Sequence, residues 1–403
     1  MHKVKLSREL GVSLLLFYGL GNIVGAGIYV LIGKVAGIAG YLSLFSFVLA
    51  CAIALFTALS YAELASRYPV SAGEAVYLQE GLQTKSLSIS IGFMIIMAGL
   101  LSAAAISQGF VGYLRQFIDI NESVALIVLI ALLSFVSITG IKQSVVVATV
   151  FTIIGLFGLL LLIYHGFDVI INPPVPYASF VPSLDFSDMH LILLGSFLAF
   201  YAFIGFEDMV NVAEEVKEPH KTFPIAIFLA LLISTLLYVL IILVALQTLS
   251  IEALKSSKAP FADIYIGLTG KDATLISIIG MFAIINGALI QLIMASRMVY
   301  GMAKNSWLPA FFTRLSVRTK TPIVASMGVA CITIVLALSL DVVSLASYTS
   351  MLILIIFTLV NIALIRIKSR YKAPEGIIEV PLFIPYCAVV LNLCLILMKL
   401  FFN

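Results

Sequence analysis

The sequence predicts an all-α integral membrane protein with about 11 transmembrane helices. Of its 403 residues, 62% are hydrophobic and only 11% are charged, and the mean hydropathy is +1.17. Soluble domains average about 45 to 50% apolar and about 25% charged residues, so this composition cannot cover a water-facing globule. Uncharged runs such as residues 41–62 and 225–246 reach the roughly 20 residues that a helix needs to cross a bilayer. A transmembrane barrel is excluded, because its strands alternate over about 10 residues.

Eleven apolar segments fit a membrane span, and their order sets the predicted topology. They are residues 10–33, 41–62, 87–114, 123–138, 145–164, 189–212, 225–246, 273–302, 323–340, 342–365 and 380–398. Sixteen of the 23 Lys and Arg residues fall in segments on one side of these spans, and six fall on the other side. Because basic loops stay cytoplasmic, we expect a multi-pass protein of the cell membrane with its amino terminus inside.

Charge and composition exclude several classes of function. The net charge of +3 includes no block of like charge, so nucleic acid is not an expected partner. No loop is large enough for a catalytic domain, so an enzyme is not expected. The histidines are scattered, and the cysteines lie in apolar runs without metal-type spacing. We therefore expect no metal site and expect the cysteines to be buried as small hydrophobes. These cysteines are Cys51, Cys331, Cys387 and Cys394.

Two spans carry residues that interrupt a membrane helix. The first reads LLLFYGLGNIVGAGIYVLIG and contains five glycines. Each glycine weakens a helix by about 1 kcal/mol relative to alanine, so we expect unwinding near Gly25–Gly27. The sixth reads LGSFLAFYAFIGFEDMVNVAEEVKEP and places Glu207 and Asp208 at membrane depth, where a carboxylate costs upwards of about 2.5 kcal/mol. The alternatives are a small-residue packing face in the first span and helix capping by the two carboxylates.

The two interruptions occupy matching positions if spans one to five and six to ten form two halves. An odd number of spans in each half gives the halves opposite topology, and glycine-broken spans in matching places indicate a transport site near the bilayer midplane. We therefore predict a first inverted repeat over residues 1–164, a second over 189–365 and an additional span over 380–398. Free N–H groups at such breaks suit an anion and free carbonyls a cation, which together suit a zwitterionic amino acid.

Four motifs lie in a characteristic order along the chain. They are GNIVGAGIY (21–29), YAELASRYPVSAGEAVY (61–77), FYAFIGFEDMVNVAEEVKEPHKTFPIAI (200–227) and ASRMVYGMAKNSWLP (295–309). In sequence and placement they resemble the signatures of the amino acid-polyamine-organocation superfamily of permeases. The resemblance implies the five-plus-five inverted-repeat fold of the bacterial leucine transporter, with broken helices 1 and 6.

The resemblance also implies a substrate site at the two breaks. Backbone N–H groups of Gly25, Ala26 and Gly27 would bind the substrate carboxylate, and carbonyl groups near Ile23 and Ile204 would bind its ammonium group. The substrate-binding residues expected on this basis are Ile23, Gly25, Ala26, Gly27, Ile28, Ser102, Tyr201, Phe203, Ile204, Gly205, Asn286 and Gln291.

For some of these side chains other roles stay open. Tyr201 matches a position where related antiporters carry an aromatic gate, but it could also face lipid or pack internally. Gln291 and Asn286 could reach the pocket or bond to a neighbouring helix, and Ser102 could serve helix packing. Near the inner side, Glu63, Arg67 and Glu74 could form an ion-pair gate with Arg297 or Lys304. Positive-inside anchoring explains the basic residues equally well.

Glu207 matches a recurrent acidic position of the superfamily and is the candidate for proton coupling, together with Asp208. Many proton-coupled relatives carry a lysine midway along the fifth span, where this chain has Gly155. No cofactor is expected. A proton gradient is the expected driving force, and sodium stays open as the alternative ion.

The predicted function is a secondary active amino acid permease that works by proton symport and alternating access. An amine or polyamine transporter and an amino acid exchanger are the alternatives within transport. A channel or a sensor on the same scaffold is the alternative class, although a channel would need a continuous polar stripe that no span supplies. The expected partners are the amino acid substrate and the lipid bilayer, and the expected assembly is a monomer or a weak homodimer.

Overall fold

The computed structural model is all-helical and describes residues 10–70, 73–138, 145–183, 185–304, 306–314 and 321–401. Within these residues, seven helical segments are long and apolar enough to cross a membrane. They are Gly27–Arg67, Ile89–Leu114, Phe186–Val210, Pro219–Thr248, Thr274–Ala303, Val342–Arg370 and Phe383–Phe401. Four shorter apolar helices accompany them, namely Val12–Ile23, Glu122–Ile138, Thr149–His165 and Ile323–Ser339. Each of the eleven segments predicted from the sequence overlaps one of these helices.

Among the described residues, the first half of the chain forms seven α-helices. They are α1 (Val12–Ile23), α2 (Ala26–Ala39), α3 (Ser43–Arg67), α4 (Gly73–Leu82), α5 (Lys85–Leu114), α6 (Glu122–Ile138) and α7 (Val145–His165). The gap between α1 and α2 is the break expected near Gly25–Gly27. The connection to the second span is tighter than predicted, because α2 continues to Ala39 and a single 3-10 turn joins it to α3. Gly40 begins that turn at φ 56°, a conformation that glycine adopts without strain.

The part of the second half that the structure describes forms nine α-helices. They are α8 (Phe167–Ile171), α9 (Phe186–Ala199), α10 (Pro219–Thr248), α11 (Ile251–Ser256), α12 (Pro260–Thr269), α13 (Thr274–Lys304), α14 (Ile323–Ser339), α15 (Val342–Arg370) and α16 (Phe383–Phe401). The sixth span is broken. Its first part, α9, ends in a 3-10 turn over Phe200–Phe203, and the chain resumes as a 3-10 helix over Glu207–Glu215. Short 3-10 stretches within a span often mark functional hinges.

A continuous hydrophobic core encloses both breaks. Phe203, at the break of the sixth span, packs against Tyr238 of α10 with ring centroids 5.2 Å apart. Phe206, just after the break, lies 5.2 Å from Phe357 of α15. All four side chains are fully buried. The breaks therefore lie inside the helix bundle, where protein groups rather than lipid surround their backbone.

The prediction that the cysteines are buried was wrong. Cys331 and Cys394 are exposed, and Cys51 and Cys387 are partly exposed. Cys331 stands beside the exposed Ile332 on a face of α14 that the bundle leaves uncovered. In a membrane helix the lipid-facing side is as apolar as the packed side, so an apolar run does not tell which of its residues are buried.

A buried ion-pair network joins α3 to the chain between α15 and α16. The Lys368 ammonium donates to both oxygens of Glu63, at 3.0 and 2.9 Å, and Arg67 Nη2 lies 2.6 Å from Glu63 Oε1. The backbone N–H of Val380 donates to Glu63 Oε2 at 2.8 Å, and Lys368 also donates to the Val380 carbonyl at 2.9 Å. Arg67 Nη2 also lies 3.2 Å from Oε1 of Glu379, whose side chain is exposed.

Glu63 is thus paired differently from the inner gate considered above. Its second cation comes from Lys368 at the end of α15, 305 residues further along the chain. The Lys304 side chain lies outside the described part of the structure. With the Glu63 side chain fully buried and those of Arg67 and Lys368 only 3% and 10% exposed, each charge depends on its partners for stabilisation.

We expect Lys368→Met to lower the melting temperature of the purified protein by several degrees, because removing one partner from a buried ion pair costs about 3 to 5 kcal/mol. Lys221→Met is the control, since the Lys221–Glu218 pair is 67% and 64% exposed and such pairs contribute about 0 to 1 kcal/mol. Equal melting temperatures for the two variants would show that the buried network adds no stability.

Candidate functional site

The two broken spans meet backbone to backbone at the centre of the bundle. A Cβ atom added to Gly27 would lie 2.4 Å from the Cα of Ala202, and one added to Gly205 would lie 2.8 Å from the carbonyl carbon of Asn22. Gly205 also has φ 128°, which other residues rarely adopt. Glycine at both positions is therefore required for the backbones of the two broken spans to come this close.

Tyr238 of α10 bonds to both broken spans at once. Its hydroxyl lies 2.8 Å from the carbonyl oxygen of Ile23, at the end of α1, and 3.1 Å from that of Ala202. A tyrosine hydroxyl has one proton to donate, so the two carbonyls share it. The sequence analysis missed this residue. The available signal was that Tyr238 is the one tyrosine of the predicted seventh span, which contains no charged residue.

The first break presents groups of opposite polarity. The N–H groups in the first turn of a helix have no partner within the helix and form the positive end of its dipole. In α2 these belong to Ala26, Gly27 and Ile28, because the first helical bond runs from the N–H of Tyr29 to the carbonyl of Gly25 at 3.3 Å. The last carbonyl groups of α1 lie just before this turn in the chain, so one short stretch of backbone contains both hydrogen-bond donors and acceptors.

A small cavity, here called the central cavity, lies between the two breaks and has a volume of about 40 Å³. Nine of the expected substrate-binding or coupling residues line it. They are Ile23, Gly25, Gly27, Ser102, Tyr201, Ile204, Gly205, Asp208 and Gln291. The remaining lining residues, which the assignment did not include, are Asn22, Ile106, Gly287 and Ile290.

Other expected site residues do not line the central cavity. Ile28 and Phe203 are fully buried in the hydrophobic core, and Asn286 is 8% exposed on α13. Glu207 faces a second cavity, described below. The side chain of Ala26 lies outside the described part of the structure, although its backbone begins α2.

Tyr201 and Ser102 connect the sixth and third spans beside the central cavity. Their hydroxyl oxygens are 2.9 Å apart, and the two residues are 6% and 5% exposed. Tyr201 is therefore an internal side chain and does not face lipid. The bond holds the aromatic ring at the cavity wall, where it closes one side of the space.

The second cavity has a volume of about 70 Å³ and is lined by three carboxyl groups, those of Glu74, Glu207 and Asp208. We call it the carboxylate cavity. None of the described residues that line it is Lys or Arg. The Gly205 N–H donates to Glu207 Oε2 at 2.8 Å, and the Tyr61 hydroxyl donates to Glu74 Oε1 at 2.7 Å. Glu207 therefore binds a backbone N–H within the break, and the 3-10 helix that follows has no side-chain bond at its N-cap, Phe206.

The carboxylate cavity adjoins the central cavity. Four residues line both, namely Ser102, Ile204, Asp208 and Gln291. A group bound between the breaks would consequently lie next to Asp208, which belongs to the wall of both cavities.

Glu74 contributes a carboxyl group from α4, outside the spans. Although part of the residue is exposed, its carboxyl group meets the fully buried hydroxyl of Tyr61. Burial raises the pKa of Glu74 to about 7, and the hydrogen bond from Tyr61 offsets part of that rise. This carboxyl group therefore changes charge near neutral pH.

A larger opening, the outer vestibule, lies on the predicted outer side and has a volume of about 570 Å³. Charged residues of both signs line it, including Lys34, Glu122, Lys258 and Asp341. Lys258 donates to Glu122 at 2.6 Å. Because the lining side chains carry charges of both signs, the vestibule does not strongly favour substrates of one net charge.

Gly155, where many relatives carry a lysine, is packed tightly in α7. A Cβ atom there would lie 3.1 Å from the Cβ of Ala283, and the Gly155 carbonyl accepts a hydrogen bond from the Tyr29 hydroxyl at 2.7 Å. The fifth span thus contributes backbone and no charged side chain at this point.

Comparisons with known proteins give consistent matches along nearly the whole chain. The sequence profile of a family described as amino acid permease matches residues 10–403. A vacuolar cationic amino acid transporter 4 of Arabidopsis thaliana is 28% identical over 93% of this chain and 65% of its own length. A branched-chain amino acid permease of Bacillus subtilis is 28% identical over 96% of this chain and 88% of its own. A methylthioribose transporter of the same bacterium is 26% identical, with 96% and 86% covered.

We expect Tyr238→Phe to destabilise the protein by about 1 to 3 kcal/mol, because two buried carbonyls lose their shared donor. Thermal unfolding of the purified protein measures this loss. Tyr77→Phe is the control, since the Tyr77 hydroxyl is buried and has no hydrogen-bond partner among the described residues. A Tyr238→Phe protein as stable as the Tyr77→Phe protein would mean that the bridging hydroxyl is dispensable.

The raised pKa of Glu74 predicts a pH dependence of stability. The folded protein holds this proton more tightly than the unfolded chain, so its contribution is complete below about pH 4.5 and is lost as pH rises through about 7. We expect melting temperatures measured from pH 5 to pH 8 to fall less steeply for Glu74→Gln than for the unmodified protein. The free-energy slope should differ by at most about 1.4 kcal/mol per pH unit. Parallel curves would contradict a titrating Glu74.

Proposed function

The chain belongs to the amino acid permease family, and we propose that it is a secondary active transporter that carries an amino acid across the cell membrane by alternating access. The observation that carries this proposal is the central cavity between two broken spans. There the first turn of α2 offers N–H groups to a carboxylate, and the carbonyls of the breaks offer oxygens to an ammonium group.

We further propose the architecture that such a mechanism needs. Eleven spans would cross the membrane with the amino terminus cytoplasmic, and residues 1–164 and 189–365 would form the two inverted repeats. Residues 380–398 would form the additional span. The breaks after Ile23 and around Ile204 support this division, since they fall in the first and sixth spans. The proposed assembly in the bilayer is a monomer or a weak homodimer.

The proposed substrate is a neutral amino acid. Apart from the polar groups at the breaks, the side chains around the central cavity include Ile106, Ile204 and Ile290, which favour an apolar substrate side chain. The B. subtilis relative named for branched-chain amino acids supports the same reading.

The proposed driving force is a proton gradient, with Glu207 as the coupling residue and Asp208 beside it. Glu207 accepts the N–H of Gly205 within the break, so a change in its charge acts directly on the backbone that binds substrate. Sodium is the alternative ion.

Uptake of radiolabelled neutral amino acids into proteoliposomes tests both proposals. We expect accumulation when the vesicles carry an inward proton gradient. Glu207→Gln should still bind substrate but take it up without regard to the gradient, because glutamine keeps an acceptor for Gly205 and cannot titrate. Glu252→Gln, on the exposed helix α11, is the control. A Glu207→Gln protein that still follows the proton gradient would remove Glu207 from this role, and accumulation driven only by sodium would replace the proposed ion.

A cationic amino acid or an amine is the second candidate substrate. The carboxylate cavity favours it, because a positively charged side chain in the central cavity could reach Asp208 and the carboxyl groups beyond it. The Arabidopsis relative named for cationic amino acids is in keeping with this. Thermal stabilisation by leucine and alanine, compared with lysine, arginine and putrescine, separates the two. A ligand at about 100 times its dissociation constant adds about 2.7 kcal/mol. Stabilisation by the cationic compounds alone would displace the neutral substrate.

A further inference from the structure

Three polar side chains meet in the membrane interior between α3, α15 and α16, away from the two cavities. Thr57, Asn361 and Asn392 are each 0% exposed. The Asn361 Nδ2 group donates to Thr57 Oγ1 at 3.1 Å and to the Phe357 carbonyl at 2.8 Å. The Asn392 Nδ2 group donates to the same Thr57 oxygen at 3.3 Å. We call these three residues the Thr57 cluster.

The hydrogen bonds of the cluster leave specific groups unpaired. The side-chain oxygens Oδ1 of Asn361 and Asn392 are buried and have no partner among the described residues. Thr57 Oγ1 accepts two N–H groups, which uses both of its acceptor positions and leaves its own proton to be donated. Asn392 Nδ2 carries two hydrogens and donates one of them among the described residues. The cluster therefore has two amide oxygens that can accept and two hydrogens, those of Thr57 and Asn392, that can be donated.

The orientation of Asn361 is determined by its surroundings. Its Nδ2 group faces the Phe357 carbonyl, which can only accept. Exchanging the amide nitrogen and oxygen would place two acceptors against each other. The free oxygen of Asn361 is therefore a property of the packing and does not depend on how the amide is assigned.

We propose that the Thr57 cluster binds one water molecule that bridges α3, α15 and α16. The water donates one hydrogen to each amide oxygen and accepts the hydroxyl proton of Thr57. These three hydrogen bonds are the number that a buried water typically makes. Both amide oxygens and the Thr57 hydroxyl then have a partner, at a depth where the bilayer supplies none.

A sodium ion fits the cluster less well. It could take the two amide oxygens, but it would leave the Thr57 proton without an acceptor. None of the three residues carries a negative charge to offset a buried cation. A neutral water molecule can donate to both amide oxygens and still accept a hydrogen from the cluster.

The bridging water attaches the last helix to the bundle. Asn392 is a polar residue of α16, and its only described side-chain bond is the 3.3 Å contact with Thr57. A water can also rotate and keep its hydrogen bonds when the helices around it shift. The junction of α3, α15 and α16 thus tolerates small displacements without leaving buried polar groups unpaired.

A high-resolution density map of the purified full-length protein tests this inference. We expect one peak within hydrogen-bond distance of both Oδ1 atoms and of Thr57 Oγ1. Well-resolved side chains with no peak between them would overturn the proposal, and so would rotated amides that bond directly to each other.

Sodium dependence and substitution provide the second measurement. We expect sodium chloride and choline chloride at the same concentration to change the melting temperature of the unmodified protein by the same amount. The two salts should also act equally on Asn392→Leu. A sodium-dependent rise that Asn392→Leu abolishes would replace the water with a cation. Asn392→Leu should also lower the melting temperature more than Asn172→Leu, a control at an exposed asparagine that follows α8. Equal stability of these two variants would show that Asn392 takes part in no stabilising bridge.

Discussion

The two broken spans can touch only where glycine leaves room for the opposite backbone, and the geometry of the site follows from that contact. With Gly27 against Ala202 and Gly205 against Asn22, the carbonyls of Ile23 and Ala202 come close enough to share the hydroxyl of Tyr238. The same approach places the first turn of α2 at the cavity. A chain without these contacts would lose the shared donor, the cavity and the arrangement of backbone groups together.

Buried carboxyl groups occur in two settings in this protein, and the setting determines what each can do. Glu63 is held by two cations and a backbone N–H, so it joins α3 to α15 and to the chain before α16. Glu74, Glu207 and Asp208 share a cavity whose described lining contains no basic side chain. Carboxyl groups placed in this way are candidates for binding a proton or a cationic ligand. The partners of a carboxyl group, and not its residue type, thus distinguish the two settings.

The sequence predicted the apolar helices and the interruption of two of them because both depend on local properties. Uncharged length determines which segments cross a membrane, and clustered glycine with carboxylates at membrane depth indicates where a span is interrupted. The partners of Glu63 and the role of Tyr238 depend on contacts between distant segments, which one sequence does not reveal. The exposed Cys331 and Cys394 were mispredicted because apolar helices carry almost no contrast between core and lipid. Glu74 was noted on a loop, but its meeting with Glu207 and Asp208 required the fold.

The central cavity, at about 40 Å³, is far smaller than the roughly 300 to 1,000 Å³ of typical ligand pockets. In the proposed transport cycle, this cavity would have to widen before an amino acid could enter, and the Tyr201–Ser102 contact in its wall is one place where it could do so. The apparent dissociation constant of the substrate would then equal the intrinsic one divided by the open fraction. Substitutions that loosen this contact would tighten apparent binding without adding any new interaction with the substrate.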